Sequence, residues 1–225
     1  MANIGIVGGT FDPIHNGHIL LGEQAYREYQ LDEIWYMPSG QPPHKRDHHV
    51  TAGSIRLELT RLAIKGRAGF CCSDFEIRRS GTTYTAQTLS LLHQQYPGNV
   101  FYFIIGADSL YEMEHWYTPE LVMKQAVLLV AGREYGKSQR SVDQQILYLE
   151  GKYECDIRRL HCPEMMVSSA MLRKMAAQGE SIEAYVPHSV YEYIVTHHLY
   201  QETEDEGSNS KTTKKSEGKI KSVQI

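Results

Sequence analysis

The chain has 225 residues, enough for one full domain, and 41% of them are hydrophobic, enough for a full core. Its formal net charge is −4 and it carries no basic domain, which argues against nucleic acid as the main ligand. No apolar run reaches the length of a membrane span, and the sequence enters a strand directly after Met1-Ala2-Asn3, so neither a membrane anchor nor a signal peptide is expected.

In chain order, strands are expected at Asn3–Val7, Glu33–Met37, Phe70–Glu76, Asn99–Ile105, Ala126–Ala131 and Asp156–His161. Helices are expected at Gly17–Tyr29, Thr51–Ile64, Tyr84–Gln95, Pro119–Lys124, Ser138–Leu149, Ser168–Ala177 and Pro187–His197. This alternation predicts an α/β fold, a Rossmann-like doubly wound parallel sheet. The continuous apolar run Val127–Val130 suits a strand covered on both faces. A strand order of 3-2-1-4-5, with an added C-terminal strand and helices, puts the switch point between the first and fourth strands, where open sheets bind ligands. Residues 1–200 form the domain. Residues 201–225 carry five acidic residues and five lysines with almost no apolar content, and are expected to be a disordered, solvated tail. The four cysteines, Cys71, Cys72, Cys155 and Cys162, form no C-x-x-C pair, so a reduced, cytoplasmic setting is expected.

The most informative segment follows the first strand. Gly8, Gly9 and Thr10 form a tight turn, and His15 and His18 open the first helix one turn apart, on one face. A strand, a glycine turn and a helix N-terminus together make an anion site, because free N–H groups and the helix dipole point at it. Gly17 is expected to leave room there for a polyanion. The two histidines also suit a metal pair, but no third ligand lies at zinc-like spacing, so no protein-held metal is expected. Farther on, Ser168 caps a second helix, Ser169 adds a hydroxyl beside its free N–H groups, and Arg173 can fold back one turn later. A capped surface helix would look the same taken alone.

Three loops complete the set. Pro38–Arg46 is stiff and basic at the carboxyl end of a strand, with Lys45 as a flexible point charge, although an exposed solvated loop reads the same way. Gly81–Thr88 turns into another helix N-terminus, which favours a second anion. Phe103–Ser109 ends the fourth strand with Gly106 and Asp108, an acceptor for ribose hydroxyls. Trp116 then follows, either as packing or as a stacking platform for an aromatic ring.

Together these pieces resemble bacterial nicotinate-nucleotide adenylyltransferases of the nucleotidyltransferase superfamily. The carrying motifs are Gly-Gly-Thr-Phe-Asp-Pro-Ile-His-x-Gly-His from Gly8, Pro-Pro-His-Lys ending at Lys45, and Thr-Tyr-Thr-x-x-Thr-Leu from Thr83. They continue with Ile105-Gly-Ala-Asp-Ser-Leu running on to Trp116, Ser168-Ser-x-x-x-Arg173 and a closing Val186-Pro to Leu199-Tyr200. The resemblance covers the chain from Asn3 to Tyr200. The second signature departs at Val167 and Ala170, and the alanine lacks the hydroxyl of the family's threonine.

The resemblance implies transfer of the adenylyl group of ATP, carried with Mg²⁺, to nicotinate mononucleotide, with no protein nucleophile. His18 and His15 with Lys45 and Arg173 are then the catalytic set. Gly8, Gly9, Thr10, Phe11, Gly106, Asp108, Ser168 and Ser169 join the histidines and Arg173 around ATP. Lys45, Tyr84, Thr85 and Trp116 hold nicotinate mononucleotide. The expected partners are these small molecules, not nucleic acid or membrane, and a homo-oligomer is compatible with the sequence. The rival readings are a nicotinamide mononucleotide or phosphopantetheine adenylyltransferase of the same fold, and a non-catalytic nucleotide-binding regulator.

Overall fold

The computed structural model describes residues 1–41, 50–132, 140–163 and 165–201. Lys45, the start of the Ser138 helix and the 202–225 part of the expected tail lie outside the described residues. Six parallel strands, β1 (Asn3–Gly9), β2 (Glu33–Pro38), β3 (Phe70–Cys72), β4 (Val100–Gly106), β5 (Val127–Ala131) and β6 (Ile157–Leu160), form one sheet. Its order is β3-β2-β1-β4-β5-β6, the expected doubly wound order with a sixth strand added at the edge.

Alternation along each strand decides which helix goes where. Ile4 and Ile6 of β1, Phe101, Phe103 and Ile105 of β4, and Leu128 and Val130 of β5 face one apolar cluster. That cluster is covered by α3 (Thr85–Gln95), α4 (Ala107–Glu112), α5 (Pro119–Gln125) and α6 (Val142–Tyr153). Val7, Ile104 and Leu129 point the other way, toward α1 (Asn16–Glu28), α2 (Gly53–Ile64), α7 (Ser169–Ala177) and α8 (His188–Thr196). The sheet is therefore buried on both faces, as its apolar runs require.

Three elements differ from the sequence reading. β3 ends at Cys72, not at Glu76. Beyond it, the Ser73 hydroxyl accepts from the Phe75 N–H at 3.3 Å and the Arg78 N–H reaches the Asp74 carbonyl, so local bonds turn the chain away from the edge. The short helix α4 was not expected. Its signal is Ala107, Leu110 and Met113 at three-residue spacing, all buried. α6 starts at Val142 because Ser141 and Gln144 form a reciprocal capping box, at 3.1 and 2.9 Å.

Candidate active site

β1 and β4 are neighbours, so the chain leaves their carboxyl ends in opposite directions and opens a crevice between the β1–α1 turn and the start of α4. The turn runs from Gly9 to His15. Phe11 sits there at φ 52°, a left-handed backbone that costs a non-glycine residue about 1–3 kcal/mol. The surroundings hold it in place: the Phe11 ring is 1% exposed. A Cβ on Gly9 would stand 2.6 Å from that ring, so the glycine is required for the turn to close.

The carbonyls of this turn are taken by side chains from distant elements. Thr10 O accepts from Arg56 Nη1 at 2.6 Å, Asp12 O from Arg173 Nη1 at 2.6 Å, and Pro13 O from the Ser169 hydroxyl at 2.8 Å. The buried Asp12 carboxylate accepts the Thr51 N–H at 3.2 Å and the Tyr200 hydroxyl at 2.8 Å. Burial, and then Asp12, push the Tyr200 hydroxyl well above the usual phenol range, so it stays a donor. The sequence reading gave Ser168, Ser169 and Arg173 to the phosphates. The structure spends the Ser169 hydroxyl and one Arg173 nitrogen on the turn itself, because these are the nearest buried acceptors that need donors. Ser168 caps α7 as expected, accepting from Met171 N at 3.2 Å.

His15 is the N-cap residue of α1, and its ring stacks on His18 with centroids 3.6 Å apart. The His15 N–H donates to His18 Nδ1 at 3.2 Å, which leaves the neutral His18 ring with its proton on Nε2. His18 also meets the edge of the Phe11 ring at 4.9 Å. His15 is 6% exposed, and burial lowers its pKa to about 4, so it is neutral at pH 7. Gly17 does not open space for a ligand. A Cβ there would meet His15 Nδ1 at 3.1 Å and Val167 at 3.2 Å, so protein atoms fill that volume and the glycine lets α1 pack against the second motif.

On the other side of the turn lies a cavity of about 530 Å³. Gly8, Gly9 and Thr10 form one wall, Tyr84 and Thr85 another, and Trp116 with Tyr117 a third. Among the described residues no side chain caps α3 at Tyr84, which leaves the first N–H groups of that helix without a side-chain partner where Tyr84 and Thr85 line the space. Trp116 packs edge-on against Phe103, with centroids 6.3 Å apart, and the Tyr117 ring lies against Tyr84 at 4.5 Å, tilted by 34°. Gly106 caps α4, and a Cβ on it would stand 2.6 Å from the Asp108 carboxylate, which is exposed across the crevice from the turn.

Sequence reasoning missed several residues here. Arg56 lies inside a helix pattern, where nothing marks it as different from a surface arginine. Glu76 enters the cavity wall only because β3 stops early, and its carboxylate accepts from Thr88 at 2.7 Å. Ser39 and Thr83 also line the cavity, with hydroxyl oxygens that are buried and have no partner among the described residues. Tyr117 had a local signal, as the aromatic neighbour of Trp116.

This fold and this turn are those of a nucleotidyltransferase, and a family model described as cytidylyltransferase-like matches residues 6–175. A protein of Lachnoclostridium phytofermentans is 44% identical over 89% of this chain and all of its own length, and one of a Synechococcus strain is 38% identical over 88% of this chain and 96% of its own. Both carry the description "probable nicotinate-nucleotide adenylyltransferase". The chain belongs to the nicotinate-nucleotide adenylyltransferase family. In fold it is similar to the Plasmodium falciparum nicotinic acid mononucleotide adenylyltransferase complexed with NaAD, with a TM-score of 0.73 at 21% identity over 89% of this chain and 98% of that one.

Proposed function

We infer that the protein transfers the adenylyl group of Mg-ATP to nicotinate mononucleotide, giving nicotinate adenine dinucleotide and pyrophosphate. The observation that carries this reading is the segment from Gly8 to His18, which lines the ring-sized cavity at its start and carries the stacked histidine pair at its end. A phosphate held at that turn sits between an ATP outside and a mononucleotide inside.

In the step, a phosphate oxygen of the mononucleotide attacks the α-phosphorus of ATP in line. The new O–P bond forms as the bond to the β-phosphate oxygen breaks, and pyrophosphate leaves with the electron pair. The chain supplies position and charge stabilisation and no nucleophile. His18 Nε2–H is the donor to the α-phosphate oxygens. His15 supports it as a neutral stacked partner, because its low pKa removes it as a cation. Arg173 and Lys45 bring positive charge, and Asp108 accepts from the adenosine ribose. Mg²⁺ enters as part of the ATP substrate, and its removal by chelation should abolish turnover. A cytosolic setting fits the free state of all four cysteines.

The nicotinate ring belongs between Trp116 and the start of α3. Its carboxylate faces the free N–H groups at Tyr84–Thr85, away from Glu76, which would repel it. An amide would set its own N–H donors against those N–H groups and lose about 1–3 kcal/mol for each unpaired donor. That corresponds to roughly one to two orders of magnitude for each. A coupled pyrophosphate-release assay tests both levels. No turnover with either mononucleotide would leave a nucleotide-binding regulator, whereas equal kcat/KM for acid and amide would overturn the carboxylate placement alone.

A further inference from the structure

Arg56 is a charged side chain on the buried face of α2, 2% exposed, and its charge meets backbone oxygens. Nε donates to the Thr51 carbonyl at 2.8 Å, Nη1 to the Thr10 carbonyl at 2.6 Å and Nη2 to the Gly40 carbonyl at 3.2 Å. These carbonyls belong to three separate segments: the β1–α1 turn, the stretch after β2 and the approach to α2. Burial pushes the guanidinium pKa down, while Asp12 and Tyr200 nearby pull it up.

Two consequences follow from elementary chemistry. A charged donor on the Thr10 carbonyl draws electron density along the Thr10–Phe11 peptide and makes the Phe11 N–H a stronger donor. A planar fork bonded at once to Thr10 and Gly40 also sets the distance between the turn and the strand-end loop. That junction is where Ser39 N–H bonds the Gly9 carbonyl at 2.8 Å, and Gly9, Thr10 and Ser39 all line the cavity.

We propose that Arg56 is a positioning residue for adenylyl transfer: from beneath the site it orients the Thr10–Phe11 peptide toward the reacting phosphates and holds the phosphate turn in register with the mononucleotide cavity. It touches no substrate. Ring and ribose binding stay with the cavity, so its loss falls on kcat more than on KM.

The test uses the full chain and takes its assay from the adenylyl-transfer reading. An inactive wild-type protein would count against that reading and not against the role of Arg56. Arg56→Lys keeps the charge and the stem but cannot present a planar fork. It should fold, with kcat lowered about 10- to 100-fold and KM for both substrates within about threefold of wild type, as expected for lost orientation. Arg56→Ala leaves a guanidinium-sized space. Free guanidinium ion at tens of millimolar should raise its kcat along a saturating curve, while sodium chloride at equal ionic strength should not. A folded Arg56→Lys with wild-type kcat, a rise in KM with kcat unchanged, or absence of guanidinium rescue would each overturn the proposal. Failure of both variants to fold would do the same, by assigning Arg56 to stability alone.

Discussion

The two sides of the β1–α1 turn are built by opposite means. On the cavity side polar groups are left open: among the described residues the first N–H groups of α3 lack a side-chain cap, and the Ser39 and Thr83 hydroxyls lack partners. On the other side groups are consumed: Thr10, Asp12 and Pro13 carbonyls each hold a side-chain donor, and the Asp12 carboxylate holds two more donors. Open groups bind a ligand when it arrives, and the two buried hydroxyls cost free energy until it does. Consumed groups hold the turn in a strained backbone at Phe11 whether or not a ligand is present. Substitutions on the braced, histidine side should therefore act on kcat, and those in the cavity on KM.

The sharpest way to break that division is His18→Ala. Removing one positioned donor to developing charge should lower kcat by about 10²–10³-fold with the fold intact. Near wild-type kcat in a folded variant would take His18 out of the chemistry.

A smaller effect should appear in stability. His15 is neutral in the folded protein down to about pH 4, whereas the unfolded chain takes up its proton near pH 6.5. Between those values the unfolded state binds more protons, so the contribution of His15 is full above about pH 6.5 and is lost as pH falls to about 4. The loss amounts to something on the order of 3 kcal/mol. His15→Asn should flatten this part of the pH–stability curve measured by denaturant unfolding, and parallel curves for the two proteins would show that His15 is not held neutral by burial.

In the cavity, Trp116→Ala removes a stacking face worth about 0.5–1.5 kcal/mol. It should raise the mononucleotide KM about two- to tenfold, leaving kcat and the KM for ATP in place. An equal change in both KM values would show that the two sides of the turn are not separable. The smallest effect expected is none. Deleting residues 203–225, whose composition cannot bury a core, should leave kcat and Tm unchanged, and a drop of several degrees in a melting scan would show that the segment docks.

How much of this was legible depended on whether the signal was local. The strand–turn–helix at Gly8–His18, the N-cap at Ser168 and the helix start at Tyr84 were readable, because spacing and capping are properties of a few neighbouring residues. Signals for α4 and for the Ser141 capping box were also present: a three-residue apolar repeat and a Ser-x-x-Gln pair. β3 was overextended because apolar Phe75 continues the pattern, and only the Ser73 and Asp74 bonds show why the edge strand stops.

By itself the sequence determined the alternation of strands and helices, the family and the identity of the histidine pair, since periodicity, turn residues and motif spacing are written along the chain. Only the tertiary structure decided what braces the site. Arg56, Ser169, Arg173 and Tyr200 meet the turn across separations of 46, 156, 161 and 188 residues, each bond joining a side chain to a buried backbone or carboxylate oxygen. No local pattern encodes such a bond. It follows from which oxygens folding removes from water, and from which donors the packed helices then bring within reach.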